Sequence, residues 1–70
     1  MIPLSMAEIG KQQTVQKVGG STDVRQHLEN LGFVTGGKVT VLSVLNGNVI
    51  VKVKESRIAI DKSLAKKIMV

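Results

Sequence analysis

The 70-residue sequence contains no cysteine, no tryptophan and no tyrosine, and its one phenylalanine is Phe33. Without cysteine the chain has no disulfide, thiolate zinc site, iron–sulfur cluster or cysteine nucleophile. Without several aromatic rings it lacks the stacking surfaces of single-strand nucleic-acid binders and the aromatic grooves that take proline-rich peptides. Several classes of enzyme and binding module are thereby excluded, and the absence of cysteine fits a reducing cytoplasm.

Acidic residues are also scarce, because 5 Asp and Glu oppose 10 Lys and Arg for a formal net charge of +5. Such a balance favours an anionic partner, which is either nucleic acid, lipid headgroups or an acidic protein surface. The basic residues are spread along the chain with at most two adjacent, as on an ordinary solvated surface. No run reaches the roughly 18 apolar residues of a membrane span, so we expect no membrane insertion.

Aliphatic residues supply nearly all of the 43% hydrophobic fraction, which indicates a compact soluble domain rather than a disordered tail. A chain of this length has room for one core, so we expect a single domain over residues 1–70. The first ten residues include Glu8 and no basic segment, which is unlike a signal peptide. We therefore expect a cytoplasmic location.

The clearest helix is predicted over residues 22–31. Ser21 is a suitable N-cap, and Gly32 is a suitable left-handed stop. Phe33, just beyond the stop, is placed to fold back onto Leu28. The apolar residues of this helix share one face: Val24, Leu28 and Leu31.

Short strands and tight glycine turns account for most of the remaining chain. Strands are predicted over residues 12–18, where we also expect a bulge, and over residues 57–60 and 68–70, with a hairpin within 38–54. Two short helical turns are predicted, one with Ser5 and Glu8 at capping-box spacing and one capped by Asp61. The pattern predicts a mainly β fold, a small barrel of about five short strands with one helix and two short helical turns.

The hairpin around Asn46 and Gly47 permits two registers. A two-residue loop places Val49 opposite Val44, whereas a three-residue loop pairs Leu45 with Val49 and gathers the valines on one inner face. We favour the three-residue loop for that reason. The predicted core is then Leu28, Val41, Leu45, Val49, Val51, Val53 and Ile60.

The other face of this hairpin is partly apolar where a solvent face is normally polar. Its residues are the candidates for a partner interface: Leu42, Val44, Ile50, Lys52 and Lys54. Two interpretations stay open, one in which the N-terminal turn with Leu4, Met6 and Ile9 covers this face, and one in which it docks an acidic partner.

Catalytic and metal-binding patterns are weak. Residues 32–39 nearly match a phosphate-binding loop, but Val39 replaces the hydroxyl residue and the helix precedes the loop. His27 and Asp23 are one helical turn apart, which gives two ligands where zinc takes three or four. With one histidine and scattered acids, we expect no enzyme, no catalytic residue, no cofactor and no intrinsic metal site.

A series of short glycine and aliphatic motifs runs through essentially the whole chain. They are Leu4 and Ser5 with Gly10, Val15 and Val18 before Gly19 and Gly20, Leu28-x-x-Leu31-Gly32-Phe33, Gly36 and Gly37, Arg57 to Ile60, Leu64 and Ala65, and Ile68 to Val70. In this order and spacing they resemble the ferrous-iron transport protein A (FeoA) family. His27 departs from the pattern, since family members often carry arginine there.

The resemblance implies an SH3-like barrel in the cytoplasm that binds and modulates the membrane ferrous-iron transporter FeoB through a surface. It also implies a role in iron transport, and some relatives are described as binding transition metals. The same fold occurs at the C-terminus of metal-dependent repressors, where it is an interaction module. The alternatives are therefore a small basic nucleic-acid-binding barrel, which the lack of aromatics disfavours, or a repressor-type SH3-like interaction module. Self-association to a homo-oligomer stays open.

Overall fold

The computed structural model describes all residues from Met1 to Val70. Its elements in chain order are a 3₁₀ turn (Leu4–Met6), β1 (Gln12–Thr14), β2 (Lys17–Val18), α1 (Thr22–Leu31), β3 (Lys38–Leu45), β4 (Asn48–Val53), β5 (Ser56–Asp61), α2 (Lys62–Ala65) and β6 (Ile68–Met69). The mainly β class, the main helix and the two short helical turns are as predicted. The strands number six rather than about five.

The sixth strand arises because the predicted strand over residues 12–18 divides in two. Its first part, β1, pairs with β3 in a four-stranded antiparallel sheet of order β1-β3-β4-β5, and its second part, β2, pairs with β6. Between them Val15 is buried, and its N–H donates to the carbonyl of Gly37 at 2.8 Å. The chain thus changes sheets at Val15, and this change stands in place of the expected bulge.

The two ends of the chain lie side by side. The N–H of Ile2 donates to the carbonyl of Val70 at 2.9 Å, and the N–H of Val70 donates to the carbonyl of Ile2 at 2.8 Å. Pro3 forms a β-bridge with Met69. These contacts extend the two-stranded ribbon of β2 and β6. No helix has the length and apolar character needed to cross a membrane.

The capping box predicted for Ser5 and Glu8 is wrong. The turn begins two residues earlier, with Pro3 rather than Ser5 at the N-cap position, and no side chain caps it. Proline has neither a side-chain acceptor nor an N–H, so it can take no part in a reciprocal cap. The predicted glycine stop is wrong too, because the helical turn ends at Ala7, and Gly10, with a φ of 85°, lies in a separate turn beyond it.

Helix α1 begins and ends where the sequence predicts. The side chain of Ser21 accepts a hydrogen bond from the N–H of Val24 at 3.3 Å. At the other end Gly32 has a φ of 112°, and the N–H of Phe33 donates to the carbonyl of Leu28 at 3.0 Å. Leu28 and Phe33 are both fully buried in the core, as expected of a glycine-terminated helix with a hydrophobic companion.

The three-residue hairpin loop is wrong. Asn46 and Gly47 have φ values of 50° and 81° and form a two-residue turn that pairs Leu45 with Asn48. A bulge lies between Val41 and Ser43, so that beyond it Val41 pairs with Val51. The extra residue, Leu42, satisfies both the turn signal and the valine pattern. The turn keeps its preferred geometry, and the valines of the core still face inward.

This bulge also decides which residues are buried. Six of the seven predicted core residues are in the core: Leu28, Val41, Val49, Val51, Val53 and Ile60. Leu45 is not, since 61% of its surface is exposed. Leu45 lies between the bulge and the turn, where the alternation of the strand is reversed relative to Val39 and Val41.

Candidate interaction surface

Apolar side chains are exposed at the tip of the β3–β4 hairpin. Val44 exposes 42% of its surface and Leu45 61%, while Leu42 and Ile50 are half-buried. Together these four residues form what we call the hairpin patch. A cluster of aliphatic side chains on adjacent strands marks a protein–protein contact more often than a single exposed leucine does.

The hairpin patch does not lie wholly on the outer face of the sheet. Ile50 pairs with Ser43 and Ala59, all exposed or half-buried, and it faces outward as predicted. Val44 pairs with the buried Val49, so its side chain lies on the inner side, and its predicted outward orientation is wrong. Leu45 takes the outward position instead, because the bulge at Leu42 reverses the alternation.

The N-terminal turn leaves Val44 exposed. Leu4 is fully buried, and it is the only apolar residue that this turn places in the core. Met6 and Ile9 expose 72% and 58% of their surface. Of the two interpretations of the apolar face, the covering turn is therefore wrong for Val44, which exposes 42% of its surface.

A basic cleft lies at the other end of the same strands. It has a volume of about 310 Å³, and Lys38, Lys52 and Lys54 line it. We call the cavity that these three lysines line the basic cleft. Lys38 donates a hydrogen bond from Nζ to Oγ1 of Thr14 at 2.6 Å, and Glu55 is the one acid in the lining. The outer face of β4 thus changes from apolar to positively charged along its length.

Helix α2 supports the hairpin turn. The N–H of Lys62 donates to the carbonyl of Gly47 at 3.0 Å, which ties the turn to the start of α2. Asp61 caps that helix by accepting from the Leu64 N–H at 2.9 Å and from the Ser63 hydroxyl at 2.7 Å. The Ser63 hydrogen bond, and then that of Leu64, lowers the pKa of Asp61 below its ordinary value of 3.8. The hairpin patch is therefore presented by a braced turn rather than a free loop.

The candidate metal position stays apart from this surface, whereas part of the candidate phosphate loop, residues 32–39, lines the basic cleft. His27 and Asp23 are exposed on α1, and no group of three or more His, Asp or Glu side chains is placed to hold a metal ion. Gly32 ends α1 and the chain then enters β3, so residues 32–39 form a helix stop and turn. That order is the reverse of the strand, loop and helix of a phosphate-binding loop.

Sequence reasoning missed two residues of this surface, Leu45 and Lys38. The Asn46–Gly47 pair was the available signal for Leu45, since a two-residue turn puts the preceding residue opposite Asn48 on the outer face. Lys38 starts β3, and only the strand pairing shows that it shares a cleft with Lys52 and Lys54.

A small barrel-like fold built from a four-stranded sheet and a two-stranded ribbon, with one capped helix and an exposed hairpin, has the architecture of an SH3-like domain. Residues 2–70 match the model of the FeoA domain. The chain therefore belongs to the FeoA family.

Relatives of known name or structure agree with this assignment. A protein of Methanocaldococcus jannaschii with the provisional name Fe(2+) transport protein A is 40% identical over 70 residues, covering 100% of this chain and 85% of the relative. A crystal structure of an iron uptake regulatory protein (FeoA) superposes with a TM-score of 0.87 at 31% identity, over 96% of this chain and 91% of the other.

A more distant structure shares the fold. Stenotrophomonas maltophilia FeoA, described as an SH3 domain protein complexed with zinc, has a TM-score of 0.84 at 24% identity. The match covers 99% of this chain and 88% of the other. At this identity the likeness shows the SH3-like fold and nothing further.

Proposed function

We propose that the protein is a non-catalytic cytoplasmic accessory protein of ferrous-iron uptake, folded as a single domain over residues 1–70. It binds a membrane ferrous-iron transporter of the FeoB type and modulates it through a surface. Membership of the FeoA family and the iron-transport name of the Methanocaldococcus jannaschii relative support a role in ferrous-iron transport. The observation that carries the proposal is the exposed hairpin patch on a braced turn.

The hairpin patch and the basic cleft have complementary roles in this binding. Burial of Leu45 and Val44 against a partner removes apolar surface from water and supplies affinity. Lys52 lies two residues from Ile50 on the outer face of β4, so positive charge borders the apolar surface. Positive charge at the rim of an interface accelerates encounter with an acidic partner more than it strengthens the final complex.

The side-chain chemistry supports a binding role rather than catalysis. The two hydrogen bonds between side chains join Lys38 to Thr14 and Ser63 to Asp61. Lys38 Nζ is the donor in its pair with the Thr14 hydroxyl, and no third side chain hydrogen-bonds to either residue, so the pair lacks the oriented base that activates a hydroxyl nucleophile. The lowered pKa of Asp61 has a structural cause, since this carboxylate is a helix cap.

Capture by membranes that contain the transporter tests this proposal, with and without guanine nucleotide. Leu45→Asp should weaken capture by about tenfold or more, because it places a charge in the apolar centre of the interface. Ile2→Asp is the matched control, since Ile2 exposes 42% of its surface and pairs with Val70 beside the β2–β6 ribbon, outside both the hairpin patch and the basic cleft. Equal capture of both variants, with unchanged unfolding midpoints, would contradict docking through the hairpin patch.

A second comparison separates affinity from steering. Lys52→Glu should slow association and reduce its salt dependence, whereas Lys17→Glu on β2 should have a smaller effect. Lys17 is exposed, belongs to the other sheet and lies outside the basic cleft, so the two variants carry the same charge change at different places. If both slow association equally, net charge rather than the basic cleft controls the encounter.

The basic cleft favours one other candidate function, the binding of nucleic acid. Three lysines around one cleft are able to contact consecutive phosphates, and counterion release makes such binding fall steeply with salt. Titration of duplex and single-stranded nucleic acid across a salt series distinguishes this candidate. Tight binding with a steep salt slope that Lys52→Glu and Lys54→Glu together abolish would replace the transporter proposal.

A further inference from the structure

We propose that the free edge of β5 pairs with β5 of a second copy of the chain, antiparallel and centred on Ala59. The pairing joins two four-stranded sheets into one continuous sheet across a two-fold axis. It rests on the sheet edge and its charges, and it is independent of the proposed transport role.

The backbone of β5 has one side without partners. In the sheet order β1-β3-β4-β5, β5 is the edge strand. The N–H of Lys62 donates to the carbonyl of Gly47, in register with the β4–β5 ladder. Since hydrogen-bonded pairs alternate along an antiparallel ladder, Ile58 and Ile60 bond to β4, and Arg57 and Ala59 point their backbone groups outward.

No other element takes up these outward groups. Among the backbone hydrogen bonds of turns, loops and caps, none involves Arg57 or Ala59. The N–H of Asp61 also points outward by the same alternation. Its carbonyl is the acceptor at the start of helix α2, where Asp61 is the N-cap. An exposed row of unpaired N–H and C=O groups is a template for another strand.

The sequence of β5 is complementary to itself about Ala59. In an antiparallel pair centred there, Arg57 of each copy lies opposite Asp61 of the other, and Ile58 lies opposite Ile60. Two hydrogen bonds join Ala59 to Ala59, and two more run from the Asp61 N–H to the Arg57 carbonyl. The outward N–H groups of Ala59 and Asp61 are then all used.

The charges favour a second copy of the chain, rather than an unrelated strand, as the partner of the β5 edge. Within one copy Arg57 lies directly opposite Lys52, so the monomer places two like charges side by side. In the dimer each copy supplies one carboxylate, that of Asp61, to the Arg57 of the other copy, and Asp61 uses its Oδ1 for the cap and retains Oδ2 for this contact. Charged side chains on a sheet edge disfavour pairing with most other strands. An antiparallel second copy instead sets opposite charges, Arg57 and Asp61, against each other at both ends of the paired strands.

Sedimentation equilibrium over micromolar to millimolar concentrations at low salt tests the pairing. We expect a reversible monomer–dimer equilibrium that weakens with salt, because the two ion pairs are exposed. Arg57→Asp sets two acids against each other on both sides and should raise the dissociation constant by about tenfold or more. Arg25→Asp, on the exposed surface of α1, makes the same charge change away from the edge and should leave it unchanged.

A backbone variant tests the strand pairing separately from the charges. Ala59→Pro removes an N–H that points away from β4, so the internal ladder keeps its bonds while the dimer loses two. Ala59→Thr retains the N–H and should dimerise. A chain that stays monomeric at millimolar concentration would overturn the proposal. A dimer that keeps its affinity in both folded variants, Arg57→Asp and Ala59→Pro, would overturn it equally.

Discussion

Val44 and Val49 pair directly across the β3–β4 hairpin, yet Val49 is fully buried and Val44 exposes 42% of its surface. Both side chains lie on the inner side of the hairpin, so the core ends between them. Beyond that boundary, inward and outward residues are exposed alike, which explains why both Val44 and Leu45 belong to the hairpin patch.

Truncation of the core should cost far more than truncation at the hairpin tip. Leu28→Ala should lower the free energy of unfolding by about 2–4 kcal/mol, because Leu28 is fully buried and the change leaves a cavity. Leu45→Ala, at 61% exposure, should cost less than about 1 kcal/mol. Urea unfolding of both variants measures the difference, and similar losses would mean that the tip is packed.

The stability of the hairpin turn should depend on how readily the residue at position 47 adopts a positive φ. Gly47 has a φ of 81°, and a Cβ placed there meets no atom within 4 Å. Gly47→Val should therefore lower the free energy of unfolding through backbone strain alone, by about 1–2 kcal/mol. Gly47→Asn should cost clearly less, since asparagine adopts this conformation more readily. Equal losses in chemical denaturation would point to a turn of another type.

The cap at Asp61 should make stability depend on pH under acidic conditions. Because folding lowers the pKa of Asp61 from 3.8, its ionised cap stabilises the fold fully above that value. The contribution is lost as pH falls through the lowered pKa, since the unfolded chain then binds the proton first and the folded chain afterwards.

The Asp61→Asn variant isolates this effect, because the amide oxygen still caps α2 but does not titrate. Unfolding free energies of both proteins should converge as the pH is lowered through this range. Parallel profiles from neutral to acidic pH would mean that the hydrogen bonds of Asp61 do not persist in solution.

The isolated protein should bind ferrous or zinc ions only weakly. His27 and Asp23 supply two ligands on one helical face, and no third His, Asp or Glu converges on them. Calorimetry under anaerobic conditions measures the binding directly. A stoichiometric site of micromolar affinity or tighter that His27→Ala abolishes would contradict this prediction.

The sequence predicts the elements of this barrel better than their exact pairing. Ser21, Gly32 and Asp61 act through bonds within a few residues, so the ends of α1 and the cap of α2 follow from local rules. The division of the first strand at Val15 depends on partners more than twenty residues away, Gly37 and Met69 among them. Such partners are not visible in a local pattern.

The hairpin shows how one residue separates the prediction from the outcome. The turn signal of Asn46 and Gly47 and the inward pattern of the valines conflict in any regular hairpin, and the predicted three-residue loop satisfies only the valines. The bulge at Leu42 reconciles them, and it exchanges the positions of Val44 and Leu45 in the candidate site. Alternation alone does not reveal an inserted residue, because each half of β3 is regular by itself.

The paired ends of the chain have a consequence for the order of folding. The hydrogen bonds between Ile2 and Val70 close the longest loop that the chain can form, which carries the largest entropy cost and therefore tends to form late. A circular permutant, joined by a short linker between residues 1 and 70 and opened at Asn46–Gly47, would turn this contact into a local hairpin. It should reach the same barrel by a different route, with the ribbon of β2 and β6 formed early and the β3–β4 pair assembled last.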